Sequence, residues 1–309
     1  MQKIKILSVN ISERKGIVKH PVSEINLTSN GIVSDAHAGS WHRQVSLLAI
    51  ESIREFEEQY GRKFAFGDFA ENITTEGFFL TAAKPGDRLR CGHVLLEVTQ
   101  IGKKCHGTGC AIFTHTGACV MPKEGLFAKV VHGGKLHAGN EFEFIPKRYK
   151  IDVITLSTRA SEGLYTDLSG PEVVRLLQIF CNEKGWPCDI TCHLISDNAF
   201  ELTSLLQKLT DHKSDFIFTT GGTGIGPTDI TPETVKPLLE REIPGIMEHI
   251  RIKYGAHNPA ALLSRSVAGQ SGDSLIFTLP GSVKAVQEYL AEICTNLEHL
   301  VYMRMGLGH

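Results

Sequence analysis

The sequence lacks a long hydrophobic run, a strong excess of charge of either sign, and any internal repeat or low-complexity tract. Its longest uncharged run, residues 105–122, is interrupted by His, Thr and Gly, which argues against a transmembrane helix. The initial stretch MQKIKILSVNIS lacks the apolar region of a signal peptide and is typical of a strand. A net charge of −2 argues against general binding to nucleic acid or to a membrane surface. We therefore expect a cytoplasmic protein with neither kind of partner.

The chain length and the change of pattern along the chain indicate two domains. The 309 residues exceed the size, about 250–300 residues, at which one hydrophobic core usually stops growing. The pattern changes at a seam, residues 145–150, where short β-type runs give way to alternating strands and helices. This change predicts domains at residues 1–147 and 150–309. Up to Arg148 the chain has 19 basic and 15 acidic residues, a net of +4, and the remainder has 13 and 19, a net of −6. Neither value is extreme, so an anionic ligand would need a local site.

Residues 1–147 show the short β-type runs of a mainly β barrel, separated by turns that contain glycine. The predicted strands are Lys3–Ile11, His93–Ile101, Leu126–Val131 and Glu141–Ile145. One helix is predicted over Ser46–Tyr60, because apolar residues recur there at helical spacing and Gly61 follows as a stop.

Residues 150–309 alternate strands with helices, which predicts a three-layer α/β domain with a parallel sheet and helices on both faces. The predicted strands are Ile151–Leu156, Asp189–Ile195, Asp215–Thr220 and Leu275–Leu279. Helices are predicted from Gly170-Pro171 to Gly185, over Ala199–Leu209 with Ser196 or Asp197 as the N-cap, and from Pro280-Gly281-Ser282 to Leu300. Pro232 and Pro237 predict two short turns, and not one smooth helix, after Asp229.

An unusual loop follows each of these strands, and in an open parallel sheet such loops share the edge where ligands bind. Gly221-Gly222-Thr223-Gly224-Ile225-Gly226 lets backbone amides approach a ligand closely, which suits phosphate. No Gly-Lys-Ser/Thr follows and position 227 is Pro, so neither a Walker loop nor a dinucleotide loop is complete. A structural glycine turn explains this loop alone equally well. Mg²⁺ would explain a carboxylate, Asp229, beside a phosphate loop. Asp197 is the second candidate ligand, with helix capping as its alternative role.

Four segments in order over about residues 150–303 resemble the MogA/MoaB family of molybdopterin adenylyltransferases. They are Ser157–Ser161, Asp167–Pro171, Thr219–Gly224 with Asp229–Glu233, and Pro280–Ser282. The resemblance implies that Asp197 and Asp229 occupy the two functional acidic positions. It also implies that Gly221, Gly222, Thr223 and Gly224 form the loop for the pterin phosphate and the nucleotide, and that the protein is a homotrimer.

The implied reaction is attack by the terminal phosphate of molybdopterin on the α-phosphate of ATP, with release of pyrophosphate. Asp197 and Asp229 would be the catalytic residues and the ligands of Mg²⁺. Arg159 would hold phosphate oxygens, with a structural ion pair as the alternative, and Ser282 would offer a hydroxyl or an amide. The remaining predicted binding residues are Ser157, Pro280 and Gly281.

In the first domain, Cys105 follows Lys103-Lys104 and precedes His106, surroundings that favour a thiolate. A thiolate is also a suitable ligand for molybdenum. A zinc site of Cys105, Cys110, His115 and Cys119 is an alternative, although no C-x-x-C pair is present, and buried or incidental thiols are another. The other cysteines are interpreted as structural thiols, without a disulfide framework: Cys91, Cys181, Cys188, Cys192 and Cys294.

Segments over about residues 5–145 resemble a MOSC domain, a family named for the C-terminal domain of molybdenum cofactor sulfurases. They are Gly31–Gly39, His42–Ser46, Gly67–Ile73, Gly86-Asp87 and the Cys105 segment. The resemblance implies a β-barrel that binds molybdenum cofactor, or carries sulfur for it, through Cys105. His37, Arg43 and Asn72 are candidate pocket residues, with structural roles as the alternative for each. The stretch Gly107-Thr108-Gly109 leaves the role of Cys110 open.

Because both resemblances indicate one pathway, we predict a bifunctional protein of molybdenum cofactor biosynthesis. Its partners would be molybdopterin and ATP, together with other proteins of cofactor biosynthesis or molybdoenzymes. One alternative is a non-catalytic carrier or storage protein for the cofactor, against which the paired Asp197 and Asp229 argue. Another is a hydrolase of nucleotide-linked metabolites.

Overall fold

The computed structural model describes residues 2–104, 113–114 and 117–307. The chain divides into two compact units, Met1–Lys147 with Met305–His309, and Arg148–Arg304. The division falls within the seam seen in the sequence, whereas the last residues group with the first unit and not with the second. Within the described ranges, no helix combines the length and the apolar character needed to cross a membrane.

The first unit is built around a closed barrel of seven strands. The strands of the unit are β1 Lys3–Ile11, β2 His20–Val22, β3 Ile25–Thr28, β4 Gly31–Ile32, β5 Val45–Ala49, β6 Ile73–Glu76, β7 Arg88–Cys91, β8 Val94–Ile101, β9 Leu126–His132, β10 Gly134–Leu136 and β11 Glu141–Ile145. Around the barrel the order is β11-β7-β8-β9-β5-β6-β1, and pairing of β11 with β1 closes it. Strand β2 extends from β1, while β10, β3 and β4 form a separate small sheet. The helices are α1 Ile50–Tyr60 and α2 Met121–Glu124, with a 3-10 turn at Leu80–Ala82.

The alternation of side chains along β1 shows how the barrel core forms. Ile4 and Ile6 are fully buried, whereas Lys3 and Lys5 are exposed, as the two-residue period of a strand requires. The buried side chains from the other strands join them in one hydrophobic cluster that includes Leu89. The prediction of a mainly β barrel is confirmed.

The helix predicted over Ser46–Tyr60 is wrong in its first part. Residues 45–49 form β5, which lies between β6 and β9, and all five residues are buried. A strand buried on both faces lacks the alternation that identifies a strand, so its apolar residues were assigned to the helix that follows. Helix α1 begins at Ile50 and ends at Gly61, whose φ of +61° closes the helix in the left-handed conformation.

The second unit is an α/β domain. Its strands are β12 Tyr149–Leu156, β13 Cys188–Ile195, β14 Phe216–Thr220, β15 Arg241–Glu242, β16 Ala268–Ser271 and β17 Ser274–Leu279. Its helices are α3 Thr158–Ser161, α4 Ser169–Lys184, α5 Ala199–Asp211, α6 Thr231–Val235, α7 Pro244–Gly255 and α8 Val283–Arg304, with 3-10 turns at Lys236–Leu238 and Pro259–Leu263. The two short turns after Asp229 are therefore confirmed.

The sheet of this unit is parallel where the site residues were predicted, but mixed as a whole. Its order is β13-β12-β14-β17-β16-β15, and the first four strands are parallel. Strand β16 runs antiparallel to both of its neighbours, β17 and β15, so the prediction of a parallel sheet is correct for the first four strands and wrong at this edge. The physical reason is the two-residue turn Gly272-Asp273, which makes β16 and β17 a hairpin.

Helices cover both faces of this sheet, as predicted. On one face, Leu202 and Leu206 of α5 pack in a cluster with Ile217 and Ile276 of the sheet. On the other, the Trp186 ring stacks on Tyr149 of β12 with ring centres 4.3 Å apart, and meets Phe180 of α4 edge-on at 5.5 Å. Adjacent strand residues face opposite ways, which separates the two layers of core.

Candidate functional site

The predicted site residues of the second unit all lie at the carboxyl edge of the parallel strands. Ser157 and Arg159 follow β12, Asp197 follows β13, Gly221–Gly224 follows β14, and Pro280–Ser282 follows β17. Because these strands are parallel neighbours, the four loops lie side by side, as expected for a ligand site in such a sheet.

The glycine loop, residues 221–226, leaves a row of backbone amides without partners. Gly221 and Gly222 have φ values of +103° and +65°, and a Cβ at Gly221 would lie 2.3 Å from the carbonyl oxygen of Leu156. The Gly221 N–H donates to the carbonyl of Leu279 at 3.1 Å. The N–H groups of residues 222–225 donate to no group in the described part of the chain. Four consecutive unpaired amides are suited to binding an anion.

Asp229 lies against this loop. Its Oδ2 accepts a hydrogen bond from the Gly226 N–H at 2.8 Å. A Cβ at Gly224 would come within 2.7 Å of the same oxygen, so glycine at position 224 permits the approach. Within the described residues, Oδ1 of Asp229 accepts no hydrogen bond and is available to a ligand.

Asp197 does not cap the helix that follows it, so the alternative prediction of a capping role for Asp197 is wrong. The cap of α5 is Asn198, whose Oδ1 accepts from the N–H groups of Phe200 and Glu201 at 2.9 and 3.1 Å. Asp197 turns instead toward the loop after β12, where its Oδ2 accepts from the N–H and the hydroxyl of Thr158 at 2.8 and 2.9 Å. Its Oδ1 has no partner among the described residues.

The available carboxylate oxygens of Asp197 and Asp229 are of the kind that magnesium binds. Each carboxylate accepts hydrogen bonds from loop residues through Oδ2, and its Oδ1 is left available to a ligand. Mg²⁺ commonly takes one or two protein carboxylates and completes its shell with water and substrate phosphates. Among the residues that the structure describes, no group of three or more His, Cys, Asp or Glu side chains surrounds a common position.

Ser157 and Ser282 line a pocket of about 390 Å³ beside the strand ends, together with Gly281. Both hydroxyls also have local roles. The Ser157 Oγ accepts from the Ala160 N–H at 3.2 Å, and the Ser282 Oγ accepts from the Ala285 N–H at 3.3 Å. Each serine therefore fixes the start of a helix at the pocket wall.

Arg159 is exposed at the same edge. Its guanidinium carbon lies 5.5 Å from the ring centre of Tyr165, a cation–π arrangement. No carboxylate of the described residues forms an ion pair with Arg159. The ion-pair alternative is therefore not seen there.

Arg265 organises the glycine loop, although the sequence patterns did not identify it. Its Nε donates to the carbonyl of Gly224 at 2.6 Å, and its Nη2 donates to the carbonyl of Asp229 at 2.9 Å. Its Nη1 contacts the carboxylate of Glu233. Arg265 is 36 positions from Asp229 in the sequence, and no motif or periodic pattern surrounds it.

In the first unit, His37, Arg43 and Asn72 line one pocket of about 340 Å³. Among the described residues, its wall carries Lys15, Arg43 and Lys103 and no carboxylate. The other lining residues are Gly16, Trp41, Ser46, Ala70, Met121 and Phe127. The structure thus brings the three candidate residues together, in a positively charged setting.

Aromatic rings and cations alternate around this pocket. Lys15 and Arg43 lie 5.7 and 5.0 Å from the ring centre of Trp41, and Arg43 and Lys103 lie 5.8 and 5.9 Å from that of Phe127. The Nε of Arg43 is buried and finds no acceptor within the described chain. A buried donor of this kind is able to bind an additional acceptor. The sequence did not identify Trp41, although it directly precedes the His42–Ser46 segment.

Asn72 and His37 connect the pocket to a buried ion pair between Lys19 and Asp35, whose side chains are both fully buried. The Asp35 carboxylate also accepts from the N–H groups of Ser12 and His37 and from Nδ2 of Asn72, at 3.1, 2.9 and 3.0 Å. Burial opposes ionisation of Asp35, but hydrogen bonds from His37 and the charge of Lys19 outweigh it and hold the pKa of Asp35 below its ordinary value. Hydrogen bonds to the buried Asp35 therefore hold two residues of the pocket wall, His37 and Asn72, in place.

Glu71 should make the stability of the first unit depend on pH. Burial raises its pKa from 4.5 to about 7, partly offset by a hydrogen bond from the Gly67 N–H. Since the folded-state pKa is the higher one, folding favours the protonated acid, and stability decreases as the pH rises from 4.5 through 7. Between pH 5 and pH 8, the free energy of unfolding in urea should fall by roughly 2–3 kcal/mol more in the wild type than in Glu71→Gln. Parallel pH profiles for the two proteins would contradict this prediction.

Cys105, Cys110 and His115 lie outside the described residues, so the thiol and the zinc alternative both stay predictions. The five cysteines interpreted as structural form no disulfide. Cys181 is buried, and burial raises the pKa of Cys294 to about 12, as suits unreactive thiols. Cys192 is exposed, which contradicts a packing role for it.

Comparison with known proteins matches both halves of the chain. A family model described as a probable molybdopterin binding domain matches residues 152–299, and the MOSC domain model matches residues 34–143. The molybdopterin adenylyltransferase of Helicobacter pylori is 34% identical over 157 residues, which cover 50% of this chain and 88% of that protein. Molybdenum cofactor biosynthesis protein B of Staphylococcus aureus is 38% identical over 156 residues, covering 50% and 90%. Gephyrin of Dictyostelium discoideum is 38% identical over 157 residues, but these span only 22% of gephyrin.

Proposed function

This chain belongs to the molybdopterin adenylyltransferase family through its second half and carries a MOSC domain in its first, and on that premise we propose that the second unit transfers an adenylyl group from ATP to the phosphate of molybdopterin. The observation that carries the proposal is the row of unpaired amides at residues 222–225 beside Asp229. Such a row suits a phosphate, and the adjacent carboxylate suits a phosphate-bound cation.

In the proposed reaction, an oxygen of the molybdopterin phosphate attacks the α-phosphorus of ATP. A new P–O bond forms as the bond between the α- and β-phosphates breaks, and pyrophosphate leaves. The amides of residues 222–225 hold the attacking phosphate, while Arg159 offers a planar guanidinium to phosphate oxygens. The pocket of about 390 Å³ lined by Ser157, Gly281 and Ser282 would receive a substrate ring.

Asp197 and Asp229 would hold Mg²⁺ through their available Oδ1 atoms, and the bound ion would offset the negative charge of the triphosphate. The chain itself positions these carboxylates. Thr158 fixes Oδ2 of Asp197 and Gly226 fixes Oδ2 of Asp229, so both side chains are preorganised before substrate binds.

For the first unit we infer a binding site for the molybdenum cofactor, with Cys105 as the residue that carries sulfur or ligates the metal. The wall of three basic residues suits the phosphate of the cofactor, and the faces of Trp41 and Phe127 suit its flat ring. The buried Nε of Arg43, which has no acceptor among the described residues, could donate to an anionic group of the cofactor. Lys103 lines the pocket, and Cys105 follows it by two positions in the sequence.

Binding in the first unit should change the fluorescence of Trp41. The chain has two tryptophans, and Trp186 is buried in the second unit, so Trp186→Phe leaves Trp41 as the reporter. Molybdopterin should produce a saturable change, and Arg43→Gln should weaken it by about 10–100-fold through loss of a charge-assisted hydrogen bond. Arg90→Gln, which alters an exposed arginine paired with Glu143, is the matched control and should bind normally. Equal affinities for the Arg43 and Arg90 variants would remove Arg43 from the site.

Pyrophosphate release by the full chain tests the main proposal. The protein is incubated with ATP and Mg²⁺, with and without molybdopterin, and molybdopterin binding is measured in parallel. Release that requires molybdopterin supports the adenylyl transfer. Tight binding without release would favour the carrier, and release without molybdopterin would favour the hydrolase.

A further inference from the structure

Two residues bind all four carbonyl groups at the start of the glycine loop. For Gly221-Gly222, the partner is Thr231, whose Oγ1 and N–H donate to the two carbonyls at 2.8 and 3.0 Å. For Thr223-Gly224, the partner is Arg265, whose N–H and Nε donate at 3.0 and 2.6 Å. Thr231 is fully buried, so its two hydrogen bonds are protected from water.

These carbonyls belong to the same peptide groups as the unpaired amides. Each planar trans peptide points its C=O and the N–H of the next residue in opposite directions. Holding the carbonyls of residues 221–224 on one side therefore directs the N–H groups of residues 222–225 to the other side. Thr231 sets the first two of these peptides, and Arg265 sets the last two.

We propose that Arg265 is a positioning residue that aims the anion-binding amides of the glycine loop, an inference that rests on the proposed function of that loop. All three nitrogens of its guanidinium are engaged, by the carbonyls of Gly224 and Asp229 and by the carboxylate of Glu233. Every guanidinium nitrogen thus engages the loop or a residue that flanks it, and the proposed role of Arg265 is exerted through the loop. Because it also holds the carbonyl of Asp229, one side chain fixes the amides relative to the candidate metal ligand.

Lysine does not reproduce this arrangement. The planar guanidinium donates in three fixed directions, whereas an ammonium group is a single point on a flexible stem. Arg265→Lys keeps the positive charge and loses the geometry, so it separates orientation of the loop from electrostatic attraction. We expect this substitution to reduce kcat/KM for molybdopterin by roughly 10–100-fold, less than the about 100–1000-fold loss that follows removal of a preorganised oxyanion donor, because the amides themselves remain.

The direct test uses the full chain labelled with ¹⁵N-glycine and ¹⁵N-isoleucine and titrated with inorganic pyrophosphate. In the wild type, the amide resonances of Gly222, Gly224 and Ile225 should shift and saturate together. Arg265→Lys should displace the resonance of Ile225, whose peptide carbonyl the guanidinium holds, before any ligand is added, and weaken pyrophosphate binding by about tenfold or more. Thr231→Val, a nearly isosteric change, should instead displace mainly the Gly222 resonance. Arg175→Lys, at an exposed arginine paired with Glu172, is the matched control and should bind as the wild type does.

The outcomes separate this inference from the proposed function. If Gly222 and Gly224 respond in the wild type and Arg265→Lys binds pyrophosphate equally well, the positioning role is overturned while the loop remains an anion site. If neither glycine responds in the wild type, the loop binds no phosphate and the proposed function loses the observation that carries it. Unchanged resonances of Gly185 and Gly272, outside the loop, establish that each variant is folded. If Arg265→Lys does not fold, Arg265→Gln, which also removes the three-way guanidinium contact, takes its place, and wild-type affinity for pyrophosphate in that variant overturns the inference.

Discussion

Asp229→Ala is expected to lower molybdopterin-dependent pyrophosphate release by at least about 100-fold, the loss typical of removing a preorganised electrostatic group. The carboxylate lies beside four unpaired amides, and its free Oδ1 would bind the cation that accompanies the triphosphate. Removing it leaves the charge of the phosphates without compensation. The measurement is the initial rate of pyrophosphate release at saturating ATP, Mg²⁺ and molybdopterin.

Two further variants decide why activity is lost. Asp229→Asn keeps an oxygen that can accept from the Gly226 N–H but removes the charge, so an equally inactive Asn variant would assign the loss to charge and not to loop structure. Asp211→Ala removes an exposed carboxylate at the end of α5 and should leave the rate unchanged. If Asp229→Ala keeps more than about a tenth of the wild-type rate, a far smaller loss than an essential group causes, Asp229 is not essential to the transfer.

The location of the candidate site could be predicted from the sequence, because the loops that follow parallel strands lie at one edge of the sheet whatever their own conformations. That rule brought together Ser157, Asp197 and Gly221–Gly224 from segments far apart in the chain. The hairpin at Gly272-Asp273 was missed because the rule of alternating strands and helices describes the middle of such a sheet and not its edge.

Arg265 could not be predicted because its role depends on contacts with backbone carbonyls. Those carbonyls exist at every position and leave no trace in the sequence, so only the folded loop shows that residues 224 and 229 present them to one guanidinium. Strand β5 was misassigned for a related reason. Burial on both faces removes the periodic signal, and the barrel that buries it is set by distant strands.

Lys19→Ala should destabilise the first unit by about 3–5 kcal/mol, the cost of leaving one member of a buried ion pair without its partner. Both side chains of the Lys19–Asp35 pair are fully buried. Asp35 would keep its hydrogen bonds from Ser12, His37 and Asn72 but lose the charge that offsets its burial. The free energy of unfolding is measured in urea by Trp41 fluorescence, in the Trp186→Phe background.

The pH dependence of Lys19→Ala identifies the cause of the loss. Without Lys19, burial should raise the pKa of Asp35 above its value in the unfolded chain, so the variant would gain stability relative to the wild type as the pH falls and the carboxyl is protonated. Lys19→Met with Asp35→Asn removes both charges and should recover part of the loss, because an amide oxygen still accepts hydrogen bonds. Lys3→Ala breaks an exposed ion pair with Glu141 and should cost less than about 1 kcal/mol. Two results together would show that the buried pair does not stabilise the pocket. Lys19→Ala would have to be as stable as Lys3→Ala, and its loss of unfolding free energy relative to the wild type would have to be the same at pH 5 and pH 8.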